Sequence, residues 1–131
     1  MLERRSDAHR AKDAAAIAVD YALDAVRYDL APPLLHRGVE RSELESWLAT
    51  WDGPVTLETK DLDVSVDGAL AVAHGLTRMH GRQSGEERDL WFRATAVLTK
   101  DGERWRIVHE HTSVPFYMDG SFRAAIDLKP E

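Results

Sequence analysis

Hydrophobic and polar positions follow a helical period in the first third of the chain and a period of two afterwards. Residues 13–21 are alanine-rich, Ile17 and Tyr21 stand four apart, and Asp13 sits where an N-cap belongs, which predicts a helix. Ala25–Leu30 reads as a short strand stopped by Pro32-Pro33, which donate no ladder hydrogen bonds. A second helix is predicted over Arg41–Thr50, where Leu44, Trp47, Leu48 and Trp51 recur at spacings of three and four before Gly53-Pro54. From Val55 the apolar residues alternate, first on odd positions (Val55, Leu57) and then on even ones (Leu62, Val64, Val66). That change of parity requires a bulge or a break near Lys60-Asp61.

Asp67-Gly68 predicts a hairpin turn, followed by a strand from about Ala69 to His80, a longer turn over Gly81–Glu87 and a strand over Arg88–Lys100. The tail Asp119–Glu131 is weakly patterned, and its Phe122, Ile126 and Leu128 are expected to lie against the body. The clearest segment is Trp91–Phe116, two long strands around Asp101-Gly102, a strong local hairpin signal. A two-residue loop at Asp101-Gly102 sets Leu98 opposite Trp105, Ala96 opposite Ile107 and Phe92 opposite His111. On the other face it sets Thr95 opposite Val108, Arg93 opposite Glu110 and Trp91 opposite Thr112. Helices followed by an antiparallel meander predict an α+β fold in one domain, residues 1–131.

Composition narrows the functional classes. The chain of 131 residues is 44% hydrophobic and 31% charged, as in an ordinary globular domain with a real core. A net charge of −6 with interleaved basic residues argues against nucleic acid and against an anionic membrane as partners. Cysteine is absent, so disulfides, thiolate catalysis and zinc–thiolate sites are excluded. The N-terminal MLERRSDAHRAKD has no apolar leader core and no apolar run approaches a membrane span, so the expected location is cytoplasmic.

The segment VRYDLAPPLLHRG, the Trp47 helix, the two Asp-Gly hairpins and the ending WRIVHEHTSVPF resemble the SnoaL-like branch of the nuclear transport factor 2-like superfamily, whose best-understood enzyme fold is that of ketosteroid isomerase. The resemblance implies a cone-shaped α+β roll, in which a strongly curved antiparallel sheet wraps helices around one deep pocket. It also implies a homodimer through the convex side of the sheet. It would turn the Trp105/Ile107 face outward to the dimer partner, although pattern alone turns that more apolar face toward the helices. Only a short segment precedes Ala11-Lys12-Asp13, so the first helix would be about two turns shorter than the family's. Either the pocket mouth is more open or translation starts upstream, and the second is the simpler expectation.

Carried over position by position, the resemblance puts Asp29 at the isomerase's general-base aspartate. It puts Arg5 at the oxyanion-binding tyrosine and Thr95 at the neutral aspartate beside it, so that enzyme's oxyanion hole is not expected here. A carboxylate in an apolar cavity can take a proton α to a carbonyl, whereas an Asp before a Pro-rich turn can equally cap local backbone. Arg93 with Glu110, flanked by Trp91, Thr95 and Thr112, would form a polar strip in the pocket, with Trp47 as a wall and Thr77 among small inward residues. The plain alternative for Arg93 and Glu110 is a structural ion pair. His109 and His111, about 7 Å apart on one strand face, suit two metal ligands with His74 or His80 as a third; apolar neighbours and the lack of a metal motif stand against this, and the resemblance implies that this face makes the dimer contact.

The expected function is therefore binding of a small, mostly apolar organic molecule, with cofactor-free isomerase, cyclase, dehydratase or hydrolase chemistry on an Asp29 base. The alternatives are a non-catalytic dimeric binding or assembly module, and a metal-dependent enzyme through the histidine face. No cofactor and no metal are expected.

Overall fold

The structure is a computed structural model that describes residues 2–131, Leu2 by its backbone alone. The elements in chain order are α1 (Leu2–Arg10), α2 (Ala14–Ala18), β1 (Tyr21–Tyr28), β2 (His36–Arg37), α3 (Arg41–Ala49), β3 (Thr56–Asp67), β4 (Leu70–Gln83), β5 (Glu86–Asp101) and β6 (Arg104–Ser113). The six strands form one curved, unclosed sheet in the order β2-β1-β6-β5-β4-β3. All neighbours run antiparallel except β1 and β6, which are parallel. Among the described residues no helix is long and apolar enough to cross a membrane.

Local chemistry accounts for the helix boundaries. The first helix ends in a Schellman arrangement: Asp13 N donates to Ala8 O at 2.9 Å and Lys12 N to His9 O at 3.1 Å, with Lys12 in the left-handed region at φ 55. Asp13 then starts α2, its carboxylate accepting from Ala16 N at 3.1 Å. The helix predicted over residues 13–21 is thus shorter, and Tyr21 instead opens β1. Strand β1 starts earlier than predicted, at Tyr21, and ends at Tyr28. The nine residues of α1 escape a pattern reading because, among the described side chains, the helix buries only the small Ala8.

All three long hairpins close through two residues. Gly68 (φ 60) and Gly102 (φ 64) each take the first loop position, and Ser84 (φ 49) with Gly85 (φ 82) replaces the longer turn expected over Gly81–Glu87. The bulge predicted near Lys60-Asp61 is present. Pairing jumps from Lys60↔Leu76 to Asp63↔His74, Asp61 adopts φ 56, and Gly75 lies opposite, where a Cβ would sit 3.2 Å from Lys60 O.

The core lies between the helices and one face of the sheet. Ala8, Ala14, Ile17, Leu48 and Trp51 pack on Tyr21, Ala25, Val55 and Ile107, with Met79, Ala96 and Leu98 partly buried against them. The outward orientation expected for the Trp105/Ile107 face is therefore reversed: Ile107 is 1% exposed inside the core, and its partner Leu98 faces the helices too. The tail is also anchored differently than expected. Ala125 is buried and its N–H donates to Pro115 O at 2.8 Å, whereas Phe122, Ile126 and Leu128 remain exposed.

Candidate functional site

Two features of β6 decide which side chains enter the helix-facing side. The β5–β6 turn consists of Gly102 and Glu103, pairing Asp101 with Arg104, Lys100 with Trp105 and Leu98 with Ile107. The register then jumps to Val97↔His109, leaving Val108 as the extra residue of a β-bulge. Because side chains alternate, one extra residue exchanges the faces of everything after it. Glu110 and Thr112, opposite Ala96 and Ala94, turn inward, while His109 and His111 turn outward with Thr95 and Val97. The predicted Arg93/Glu110 pair does not form. Arg93 faces Ser113, donates to its Oγ at 3.2 Å and is exposed. Trp91, Arg93 and Thr95 lie on the outer face, opposite Arg78, Leu76 and His74 of β4.

Inside, Glu110 meets the start of β1 and the first helix. Tyr21 Oη donates to Glu110 Oε1 at 2.7 Å, Arg5 Nη2 donates to Tyr21 Oη at 2.9 Å, and Arg5 Nη1 reaches Glu110 Oε2 at 3.4 Å. Three polar groups thus close a ring at the edge of the core, with Tyr21 buried and Arg5 and Glu110 partly exposed. The Arg5 and Arg27 guanidiniums lie 5.5 and 5.7 Å from the Tyr21 ring centroid. Burial, reinforced by the negative charge of Glu110, holds the Tyr21 phenol well above the usual tyrosine range. Burial alone would lower Arg5, but the fields of Tyr21, Glu110 and Asp20 outweigh it and raise its pKa.

Further charges surround the ring. Asp20 is 0% exposed, and its Oδ1 lies 2.6 Å from Arg4 Nη2, yet neither carboxylate oxygen receives a hydrogen bond among the described residues. His9 Nδ1 lies 2.8 Å from Arg5 O; a carbonyl only accepts, so Nδ1 carries the proton and Nε2 is the free base. Burial lowers the His9 pKa, opposed by that backbone hydrogen bond.

Toward the other end of the parallel β1/β6 pair, the inward row continues through Arg27, Thr112 and Asp29. Arg27 Nε donates to Gly38 O at 3.0 Å and its Nη1 lies 3.4 Å from Asp29 Oδ2. Asp29 Oδ1 accepts from Leu30 N at 2.7 Å and from Thr112 Oγ1 at 3.4 Å. The side chain of Asp29 is 37% exposed, at an end of the sheet where Leu34 (95%), Leu35 (42%), Phe116 (48%) and Met118 (88%) are exposed as well. Phe116, Tyr117, Met118, Gly120 and Phe122 frame an open apolar hollow of about 260 Å³. A second hollow, about 390 Å³, is lined by Arg4, Glu103, Arg104 and Trp105. The deep enclosed pocket expected in the interior does not appear as either of these. Trp47 packs on the core and against Trp51, ring centroids 5.7 Å apart, and Thr77 pairs with Phe92 on the helix-facing side.

The outer histidines hold no metal arrangement. Tyr28 stands edge-on to both rings, 5.0 Å from His109 and 5.3 Å from His111, and His109 Nδ1 lies 2.7 Å from Val26 O. His80 lies by Glu58, and among the described residues no group of three or more His, Asp or Glu side chains could hold a metal ion. Sequence reasoning missed Arg5, Tyr21 and His9 as site residues. The available signal was Arg5 at the position matched to the isomerase's oxyanion tyrosine.

A sequence model of the SnoaL-like domain matches residues 1–117. Among solved structures, a nuclear transport factor 2-like protein of unknown function from Pseudomonas putida KT2440 is 34% identical, with a TM-score of 0.85 over 98% of this chain and 91% of that one. A protein provisionally named as a scytalone dehydratase from Novosphingobium aromaticivorans DSM 12444 is 15% identical, with a TM-score of 0.73 over 99% and 89% of the chains. One provisionally named as a ketosteroid isomerase from Shewanella frigidimarina is 19% identical, with a TM-score of 0.65 over 86% and 90%. No curated protein matches the chain.

Proposed function

The chain belongs to the SnoaL-like domain family of the nuclear transport factor 2-like superfamily, and from that premise we propose that it is a cofactor-free proton-transfer enzyme of the dehydratase or isomerase type. Its substrate is a small, mostly apolar molecule bearing a carbonyl, bound at the Asp29 end of the β1/β6 seam. The observation that carries this reading is the Asp29 carboxylate, beside Thr112 and Arg27, at a sheet end with exposed leucines and Phe116. Asp29 takes the proton from the carbon α to the carbonyl, and Arg27 or Thr112 supplies positive charge or a donated hydrogen to the enolate oxygen. Glu110 and Thr112 contact the ligand's polar end, and Thr77 and Trp47 shape the wall. The dehydratase and isomerase names carried by proteins of this fold support the reaction class.

The outer sheet face, with Tyr28, His109, His111 and Val72 partly or fully exposed, supports the second part of this reading, a homodimer joined through it. The test is a panel of small ketones and β-hydroxy ketones incubated in D2O and followed by NMR. The proposal expects deuterium at the α-carbon, or loss of water, that disappears in Asp29→Asn. No exchange or dehydration in wild type, with ligand binding unchanged in Asp29→Asn, overturns it in favour of a non-catalytic binding module.

A further inference from the structure

The hollow between α1 and the β5–β6 turn is built from different residues than the Asp29 seam. We propose that it is a separate binding site for a planar organic monocarboxylate, gripped by Arg4 and Arg104 and lying on Trp105.

Three observations converge. The hollow is an open surface depression of about 390 Å³, with room for a small aromatic acid to lie along it while one side stays in solvent. Its lining joins two guanidiniums and one aromatic ring: Arg4, Arg104 and the half-buried Trp105, with Glu103 at the turn. That combination suits a carboxylate on a flat apolar body, because guanidinium forks match carboxylate geometry and an indole offers a stacking face. Arg104 forms no ion pair among the described residues, so its charge is available.

The second guanidinium is held in place from beneath. Asp20 is 0% exposed, and its Oδ1 touches Arg4 Nη2 at 2.6 Å while both its oxygens lack a hydrogen bond among the described residues. A buried carboxylate without donors is costly to keep. Its effect here is to fix a half-exposed arginine at the rim of the hollow through one nitrogen. Arg4 meets Asp20 through Nη2, which leaves Nε and Nη1 for a ligand. Asp20 is therefore a positioning residue for Arg4. A monoanion fits better than a multiply charged ligand, since Glu103 stands at the same rim.

The probe is 1-naphthoate, titrated into the full chain and followed by the indole N–H signal of Trp105, assigned by its loss in Trp105→Phe. The neutral isostere 1-naphthalenemethanol serves as the control. The proposal expects saturable one-to-one binding of the acid, at least tenfold weaker binding of the alcohol, and weakening of about tenfold in Arg104→Gln, as for loss of one charge-assisted pair. Arg104 is exposed at the start of β6, so this variant leaves the core intact. Asp20→Asn, which touches no ligand, weakens the acid but not the alcohol. Asp29→Asn leaves naphthoate binding unchanged, which separates this site from the seam. Equal affinity for the alcohol, no response to Arg104→Gln, no saturable shift of Trp105, or loss of binding in Asp29→Asn each overturns the proposal.

Discussion

Tyr21→Phe removes one oxygen from the ring of polar groups and leaves its aromatic packing. In the native chain that oxygen donates to Glu110 at 2.7 Å and accepts from Arg5 at 2.9 Å. The phenyl ring still lies beneath Arg5 and Arg27, so the cavity term is small. The dominant loss is hydrogen bonding to a carboxylate and a guanidinium in a buried place, worth about 1.5–3 kcal/mol. For a chain of this length each kcal/mol moves Tm by about 4 °C, so a fall of about 6–12 °C is expected by calorimetry. Part of the effect has a pH signature. The folded Tyr21 pKa is raised, so the stability it contributes is fully present below the unfolded tyrosine pKa of about 10 and declines as pH rises beyond it. Tyr21→Phe therefore flattens the alkaline fall. A variant within about 0.5 kcal/mol of wild type, with the same alkaline profile, refutes the ring as a stabilising unit.

His9 is held neutral by burial. Its contribution is present above the unfolded histidine pKa of about 6.5 and lost as pH falls below it, because the unfolded chain binds the proton first. His9→Gln is expected to show a shallower loss of denaturation midpoint between pH 7 and 5 than wild type. For the Arg4–Asp20 pair, Arg4→Gln leaves a fully buried carboxylate without its ion-pair partner and costs about 3 kcal/mol, whereas Asp20→Asn removes the charge itself and costs about 1 kcal/mol or less; urea denaturation of the two variants checks the order. Gly75→Ala places a Cβ 3.2 Å from Lys60 O and 3.3 Å from Leu62 Cα at the β3 bulge, so a loss of about 1–3 kcal/mol is expected from the same measurement.

The residues explain which parts of the fold were legible. Asp-Gly pairs marked two hairpins, the parity change at Lys60-Asp61 marked a real bulge, and Asp13 marked a helix start, because each is a local signal with a local cause. The face of Glu110 was not legible. It depends on Val108, an apolar residue that carries none of the glycine or charge pattern that betrays a bulge. The loop offset, Gly102-Glu103 in place of Asp101-Gly102, moved every partner by two and so kept the faces intact; only the bulge exchanged them. Arg5 and Tyr21 lay outside reach for a different reason. They meet Glu110 only because β1 runs parallel to β6 and α1 packs nearby, contacts between residues 16 to 105 positions apart. Asp29 was reached through the family resemblance, and its neighbours Thr112 and Arg27 follow from the same parallel pairing.

The proposed site for a carbonyl compound is the helix-facing end of the β1/β6 seam rather than the outer histidine face. Amide chemical-shift mapping during titration with a small ketone from the deuterium-exchange panel tests this directly. Shifts concentrated at Arg27, Asp29, Leu30 and Thr112, with Arg93, His109 and His111 unmoved, are the predicted result. Shifts concentrated at Arg93, His109 and His111 would contradict it.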